Sequence, residues 1–165
     1  MYRRILVPLD GSEHSEAALA HARDLAGAVG ARIEIVRAVT VPTLVGTMTE
    51  VALPPSFDAG AEQAQVGEYL EARAAPLREG GLEVVCRVLE GPAGEAVLQH
   101  VEETRPDLLV LSFHGRRGFK RWLQGSTAER IARRSPCPVL IVKPGQATWA
   151  DPGPRTGCTP PDRVL

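Results

Sequence analysis

Residues 112 to 126, Ser112-Phe113-His114-Gly115-Arg116-Arg117-Gly118-Phe119-Lys120-Arg121-Trp122-Leu123-Gln124-Gly125-Ser126, bring glycines, cations and a serine to the entrance of a helical pattern. The chemistry open to such a stretch is anion binding. Gly115 and Gly118 can adopt positive φ and let backbone amides approach a ligand, while Gly125 clears space where the next helix starts. Leu108 to Leu111 before the loop has the length and bulk of a buried parallel strand, and Thr127 to Arg134 after it opens a helix. Strand, glycine-punctuated loop and helix N-terminus are the usual geometry for holding phosphate. Ser126 admits two roles. Ser126-x-x-Glu129 is a capping box, and the Ser126 hydroxyl with the amides of Ser126 and Thr127 can equally bind phosphate, helped by the helix dipole. An empty site can be capped and a filled one can recruit the anion.

A second polar element, Pro8-Leu9-Asp10-Gly11-Ser12, closes the first apolar run. Asp10 reads either as a turn residue ahead of a helix cap or as a ligand contact. Arg116, Arg117 and Lys120 can screen a triphosphate or simply be solvated, and His114 reads as a structural loop histidine. His14, His21 and His100 fall on helical patterns without metal-like partners and receive no role. Nucleophilic catalysis finds little support: the sequence has no Gly-x-Ser-x-Gly elbow, no phosphate-loop lysine followed by serine or threonine, and no paired carboxylates flanking the loop. Any hydrolysis should be slow, because most of the electrostatic stabilisation that phosphoryl transfer needs is missing.

The elements that must position these residues follow from hydrophobic period. Ile5 to Leu9 is a compact apolar run, and Ala18, Ala22, Leu25 and Val29 then recur at helical spacing. Ser12 suits the N-cap, Glu13 and Glu16 suit the positive end of the dipole, and Gly30 suits the C-cap. Ile33 to Val39 forms the second strand. Residues 40 to 56 show no period and carry several prolines, which predicts a long loop, either a lid or partner surface or a mobile insertion. Phe57 to Glu79 returns to helical patterning, with Pro76 predicted to bend its last turn and Gly80-Gly81 to stop it. Leu82, Val84, Cys86 and Val88 alternate with polar residues, which suits a strand near a sheet edge. A helix opened by Gly91-Pro92 runs to about Thr104, and Val139 to Val142 is the fifth strand.

Five strands separated mainly by helices predict a single doubly wound α/β domain over residues 1–144, a five-stranded parallel sheet in the order 3-2-1-4-5 with helices on both faces. Residues 145–165, rich in proline and glycine, predict a flexible tail. Ligands of such sheets sit at the carboxyl ends of the strands where the winding reverses, which would set Pro8-Leu9-Asp10 opposite Leu111-Ser112.

The 165-residue chain carries a formal charge of −1, so nothing in its overall balance recruits nucleic acid or an acidic membrane. No window approaches a membrane span, and the apolar stretch before Asp10 is too brief for a signal peptide. Cys86, Cys137 and Cys158, odd in number and without metal-like spacing, fit a reduced cytoplasmic chain.

Together Pro8-Leu9-Asp10-Gly11-Ser12, Ser112 to Gly118, Gly125-Ser126-Thr127-Ala128-Glu129-Arg130 and Cys137 to Val142 resemble the universal stress protein family over residues 2 to 144. Nucleotide-binding members carry a glycine, two residues, a second glycine, nine residues, then glycine and serine or threonine. Gly115, nine intervening residues and Gly125-Ser126 match the later part, and Ser112 replaces the first glycine. The serine adds a Cβ and a hydroxyl where the family leaves space.

The resemblance implies ATP binding with magnesium. Asp10 would reach the ribose or a phosphate-bound magnesium, Pro8 and Leu9 would line the adenosine pocket, and Ala38 would contact adenine. Leu111, Ser112, Gly115, Arg116, Gly118, Gly125, Ser126 and Thr127 would complete the cradle. It also implies a homodimer through antiparallel pairing of the Val139–Val142 strand, where the alternative is coverage by the C-terminal tail, and an unidentified signalling partner. The competing reading is a nucleotide-free dimeric interaction module in which Ser112 marks a lapsed site.

Overall fold

The structure, a computed structural model, describes residues 1–40, 59–112 and 127–143. Strand β1 (Arg4–Pro8) leads to helix α1 (Glu13–Val29), β2 (Arg32–Val39), α2 (Ala59–Glu79), β3 (Val84–Glu90), α3 (Ala93–Thr104), β4 (Leu108–Ser112), α4 (Thr127–Arg134) and β5 (Val139–Val142). All strands pair in parallel in the order β3-β2-β1-β4-β5, as the alternating pattern predicts. All but the first residue of the 40–56 loop, and the whole 145–165 tail, lie outside the described residues.

Alternation along the strands divides the core in two. Ile5, Val7, Ile33, Ile35, Leu108 and Val110 point to one face, where Ala18, Ala22 and Ala26 of α1 and Val66, Leu70 and Ala74 of α2 cover them. Leu6, Val36, Leu109 and Leu111 point to the other, against Val97 and Val101 of α3 and Ile131 of α4. Helices on both faces explain why β1 and β4 read as continuous apolar runs. The alanines of α1 let its backbone approach the sheet closely.

Local signals set the helix ends. The Ser12 side chain accepts the Ser15 amide at the start of α1, and Gly30, at φ 69°, donates to the Ala26 carbonyl at its end. Proline 76 sits inside α2, which continues to Glu79. The third strand starts at Val84, two residues later than the alternation begins. Gly81 takes φ 84° and the Leu82 amide donates to the Leu77 carbonyl, so Leu82 completes the cap of α2 and does not join the sheet. As predicted from its half-polar pattern, β3 is an edge strand, and β5 forms the opposite edge.

At the centre, pairing between β1 and β4 is registered at Ile5 with Leu108 and Leu6 with Leu109, yet both strands run on to Pro8 and Ser112. Strand β1 stays with β2 instead, Pro8 lying opposite Val36 and the Leu9 amide donating to the Val36 carbonyl at 2.8 Å. The carboxyl ends of β1 and β4 therefore part. This is the point where winding reverses, and it opens the crevice that such sheets use for ligands.

Candidate functional site

One lip of the crevice is the turn after β1. Asp10 Oδ1 accepts the Ser12 amide at 2.9 Å and the Ser12 hydroxyl at 2.6 Å, an Asx-type turn. Ser15, buried beneath the turn, receives the Asp10 amide on its hydroxyl at 3.3 Å and donates to the Ser12 carbonyl at 2.8 Å. Two serines thus fix the backbone that carries Asp10. Gly11 completes the turn at φ 88°, a conformation L side chains rarely adopt, and an added Cβ would also meet the Arg37 guanidinium at 2.8 Å.

The opposite lip is the end of β4. Leu111 is buried against α4, and Ser112 Oγ is a buried oxygen with no hydrogen-bond partner among the described residues. Buried polar groups are normally paired, so this hydroxyl at the carboxyl end of β4 is a candidate ligand contact. By strand alternation Pro8, Ala38 and Leu111 share the face of α3 and α4, whereas Ser112 shares that of α1. Thr127 begins α4, so its amide end belongs to the same region. Of the sequence-predicted site, Pro8, Leu9, Asp10, Ala38, Leu111, Ser112 and Thr127 come to the carboxyl end of the sheet. Gly115, Arg116, Gly118, Gly125 and Ser126 lie outside the described residues.

Magnesium fits the donors present in one limited sense. A single carboxylate, Asp10, suits an ion held mainly by phosphates and water. Among the described residues no three histidine, cysteine, aspartate or glutamate side chains converge on a metal position. A hollow of about 430 Å³ between α3 and the α4–β5 connection, lined by Val101, Arg105 and Cys137 among others, lies at the opposite end of the sheet and takes no part in the crevice.

Two polar clusters escaped sequence reasoning. His100, buried on α3, meets Glu34 Oε1 of β2 at 2.9 Å, and Arg87 of β3 reaches the same oxygen at 2.9 Å. On the other face the Tyr69 hydroxyl and Arg73 Nε of α2 both donate to Glu16 Oε1 of α1, at 2.9 and 2.8 Å. Burial, and then the Glu16 carboxylate beside it, push the Tyr69 hydroxyl up to about 12, so it remains a proton donor. Cys86 is pushed up to about 11, first by burial and then by Glu71, which leaves it a poor nucleophile. The available signal for the second cluster was Arg37, a charge set among Ile35, Val36, Ala38 and Val39 of β2.

The family model described as the universal stress protein family matches residues 1–143. A universal stress protein of Methanocaldococcus jannaschii is 32% identical over 143 residues, covering 87% of this chain and 83% of the relative. Two solved structures are each 26% identical. A universal stress protein in complex with cAMP aligns with a TM-score of 0.63 over 86% of this chain and 97% of that one. A family protein from Burkholderia pseudomallei aligns with a TM-score of 0.65 over 86% and 96%. The sheet order, the parted strands and the match across nearly the whole domain agree: this chain belongs to the universal stress protein family.

Proposed function

We propose that the crevice between β1 and β4 binds ATP, with magnesium carried on its phosphates, as a regulatory ligand that is hydrolysed slowly or not at all. The observation that carries this reading is the pair of facing lips: a pre-set Asp10 turn on one side and, on the other, the buried Ser112 hydroxyl, which has no partner among the described residues. Asp10 reaches the ribose or the magnesium, Pro8, Leu9 and Ala38 take the adenosine, and Leu111, Ser112 and Thr127 join Gly115, Arg116, Gly118, Gly125 and Ser126 around the phosphates. The 26%-identical universal stress protein solved in complex with cAMP supports an adenine nucleotide at such a site.

The protein works in the cytoplasm as a homodimer paired through β5, and nucleotide occupancy is what it reports to a signalling partner. Among the described residues no further strand pairs with β5, and Val139, Leu140 and Ile141 are only half-buried, which supports that pairing. Among the described residues no helix is long and apolar enough to cross a membrane. Thermal unfolding at rising ATP and magnesium tests ligand binding: the melting temperature should climb and saturate with concentration. A melting temperature indifferent to millimolar nucleotide would overturn the reading.

One observation favours a second reading, a nucleotide-free interaction module. Ser112 stands where family members that bind nucleotide carry glycine, and Asp10 Oδ1 is already satisfied by Ser12.

A further inference from the structure

Arg37 interrupts the apolar run of β2 between Val36 and Ala38. Ile33 and Ile35, four and two positions before it, are buried against α1 and α2, so alternation sends Arg37 toward those helices. Its guanidinium stands 5.1 Å from the centroid of the Tyr69 ring. On its other side two guanidinium nitrogens lie 2.8 and 3.1 Å from where a Cβ on Gly11 would be. The cation is clamped between an aromatic face of α2 and the backbone of the turn that carries Asp10.

The charges around it do not balance. Arg73 lies over the same ring at 5.3 Å, and the carboxylate of the cluster, Glu16, accepts from Tyr69 and Arg73 on one oxygen. Asp10 Oδ1, across the turn, accepts two hydrogen bonds from Ser12. Among the described residues Arg37 forms no ion pair. A half-buried guanidinium, fixed by stacking and lacking a carboxylate, is a preorganised receptor for an anion, and its planar fork suits phosphate.

We propose that Arg37 extends the nucleotide site to receive a phosphate esterified to a ribose hydroxyl. This rests on the nucleotide reading above, in which the ribose lies at Asp10 and the base at Ala38, so that only the turn at Asp10-Gly11 separates the sugar from Arg37. Dinucleotide sites use an acidic residue for free ribose hydroxyls, or a nearby arginine where the ribose carries an added phosphate. The ligand class is an adenine nucleotide bearing a 2′- or 3′-phosphate besides its 5′-phosphate.

Equilibrium titration of the full chain with adenosine 5′-monophosphate, adenosine 2′,5′-bisphosphate and adenosine 3′,5′-bisphosphate tests this. At least one bisphosphate should bind about ten-fold or more tightly than the monophosphate, the gain expected of one hydrogen-bonded charge contact. In Arg37→Gln that ratio should fall to about one, and Arg37→Lys should keep part of it, as a cation without the planar fork would. A wild-type ratio of one, or a ratio indifferent to Arg37→Gln, overturns the proposal while binding of the monophosphate leaves the nucleotide reading standing. Failure of all three ligands to bind overturns both. Should Arg37→Gln not fold, the wild-type ratio and Arg37→Lys still decide.

Discussion

Ser112 Oγ, buried at the end of β4, has no partner among the described residues, and a hydroxyl left unsatisfied costs on the order of 1–3 kcal/mol. Ser112→Ala is therefore expected to raise the stability of the ligand-free protein by about 1 kcal/mol while weakening ATP, read by thermal melts and titration. Ser112→Gly separates the two functional readings. Weaker or unchanged ATP binding fits a hydroxyl that serves the ligand, whereas ATP binding that the native serine protein lacks would establish the interaction module. The two residues sequence reading judged well here, Ser12 and Gly30, act through neighbours a few positions away. Asp10 was legible as a turn or a contact, and the geometry shows the turn already formed. The partnerships of Arg37 with Tyr69 and of His100 with Glu34 join residues from different elements, so no local spacing encodes them.

Elements are tied to one another by a small number of long-range polar bonds, and the clearest joins the amino ends of β1 and β4. Asp107 Oδ2 accepts the Arg3 and Arg4 amides, each at 2.9 Å, just where these strands are still in register. Those two backbone donors hold the Asp107 carboxyl below the usual carboxylate range. A depressed folded-state value means that the stabilisation is fully present above the unfolded value of about 3.9 and is lost as pH falls through the folded one. Asp107→Ala should therefore melt below wild type at neutral pH, and the gap should close as pH drops below about 4. A gap that stays constant down to acid would show that the carboxylate is not what ties the strands. Element identity was legible because β1, β4 and β5 are short apolar runs and α1 is strongly periodic. Boundaries were less so: Leu82 fits the period of β3, but the αL turn at Gly81 folds it back onto α2. The parting of β1 from β4 beyond Leu6 and Leu109 depends on which strands are neighbours, and an apolar pattern does not state that directly.

At the scale of the whole molecule, the sheet order places two edges at β3 and β5, and they are protected differently. Strand β3 alternates toward solvent and carries Arg87 and Glu90, whereas β5 is four apolar residues, Val139-Leu140-Ile141-Val142. Ile141 is half-buried and stands outside both core clusters, so Ile141→Lys should leave the monomer fold intact and abolish dimers. Sedimentation velocity checks this, and a native protein that is monomeric at tens of micromolar, or a variant that still dimerises, would contradict pairing through β5. The architecture, five strands wound about a central reversal, could be read from the order of apolar runs and helical periods. What the crevice holds could not, because occupancy turns on a single serine hydroxyl and on charges assembled from three elements. Calorimetric titration of the native chain with ATP and magnesium measures that occupancy directly. A saturable heat that weakens about ten-fold or more in Asp10→Ala, in line with loss of a charged hydrogen bond, is the predicted result. No heat at millimolar nucleotide, or binding indifferent to Asp10, would contradict the assignment of the crevice.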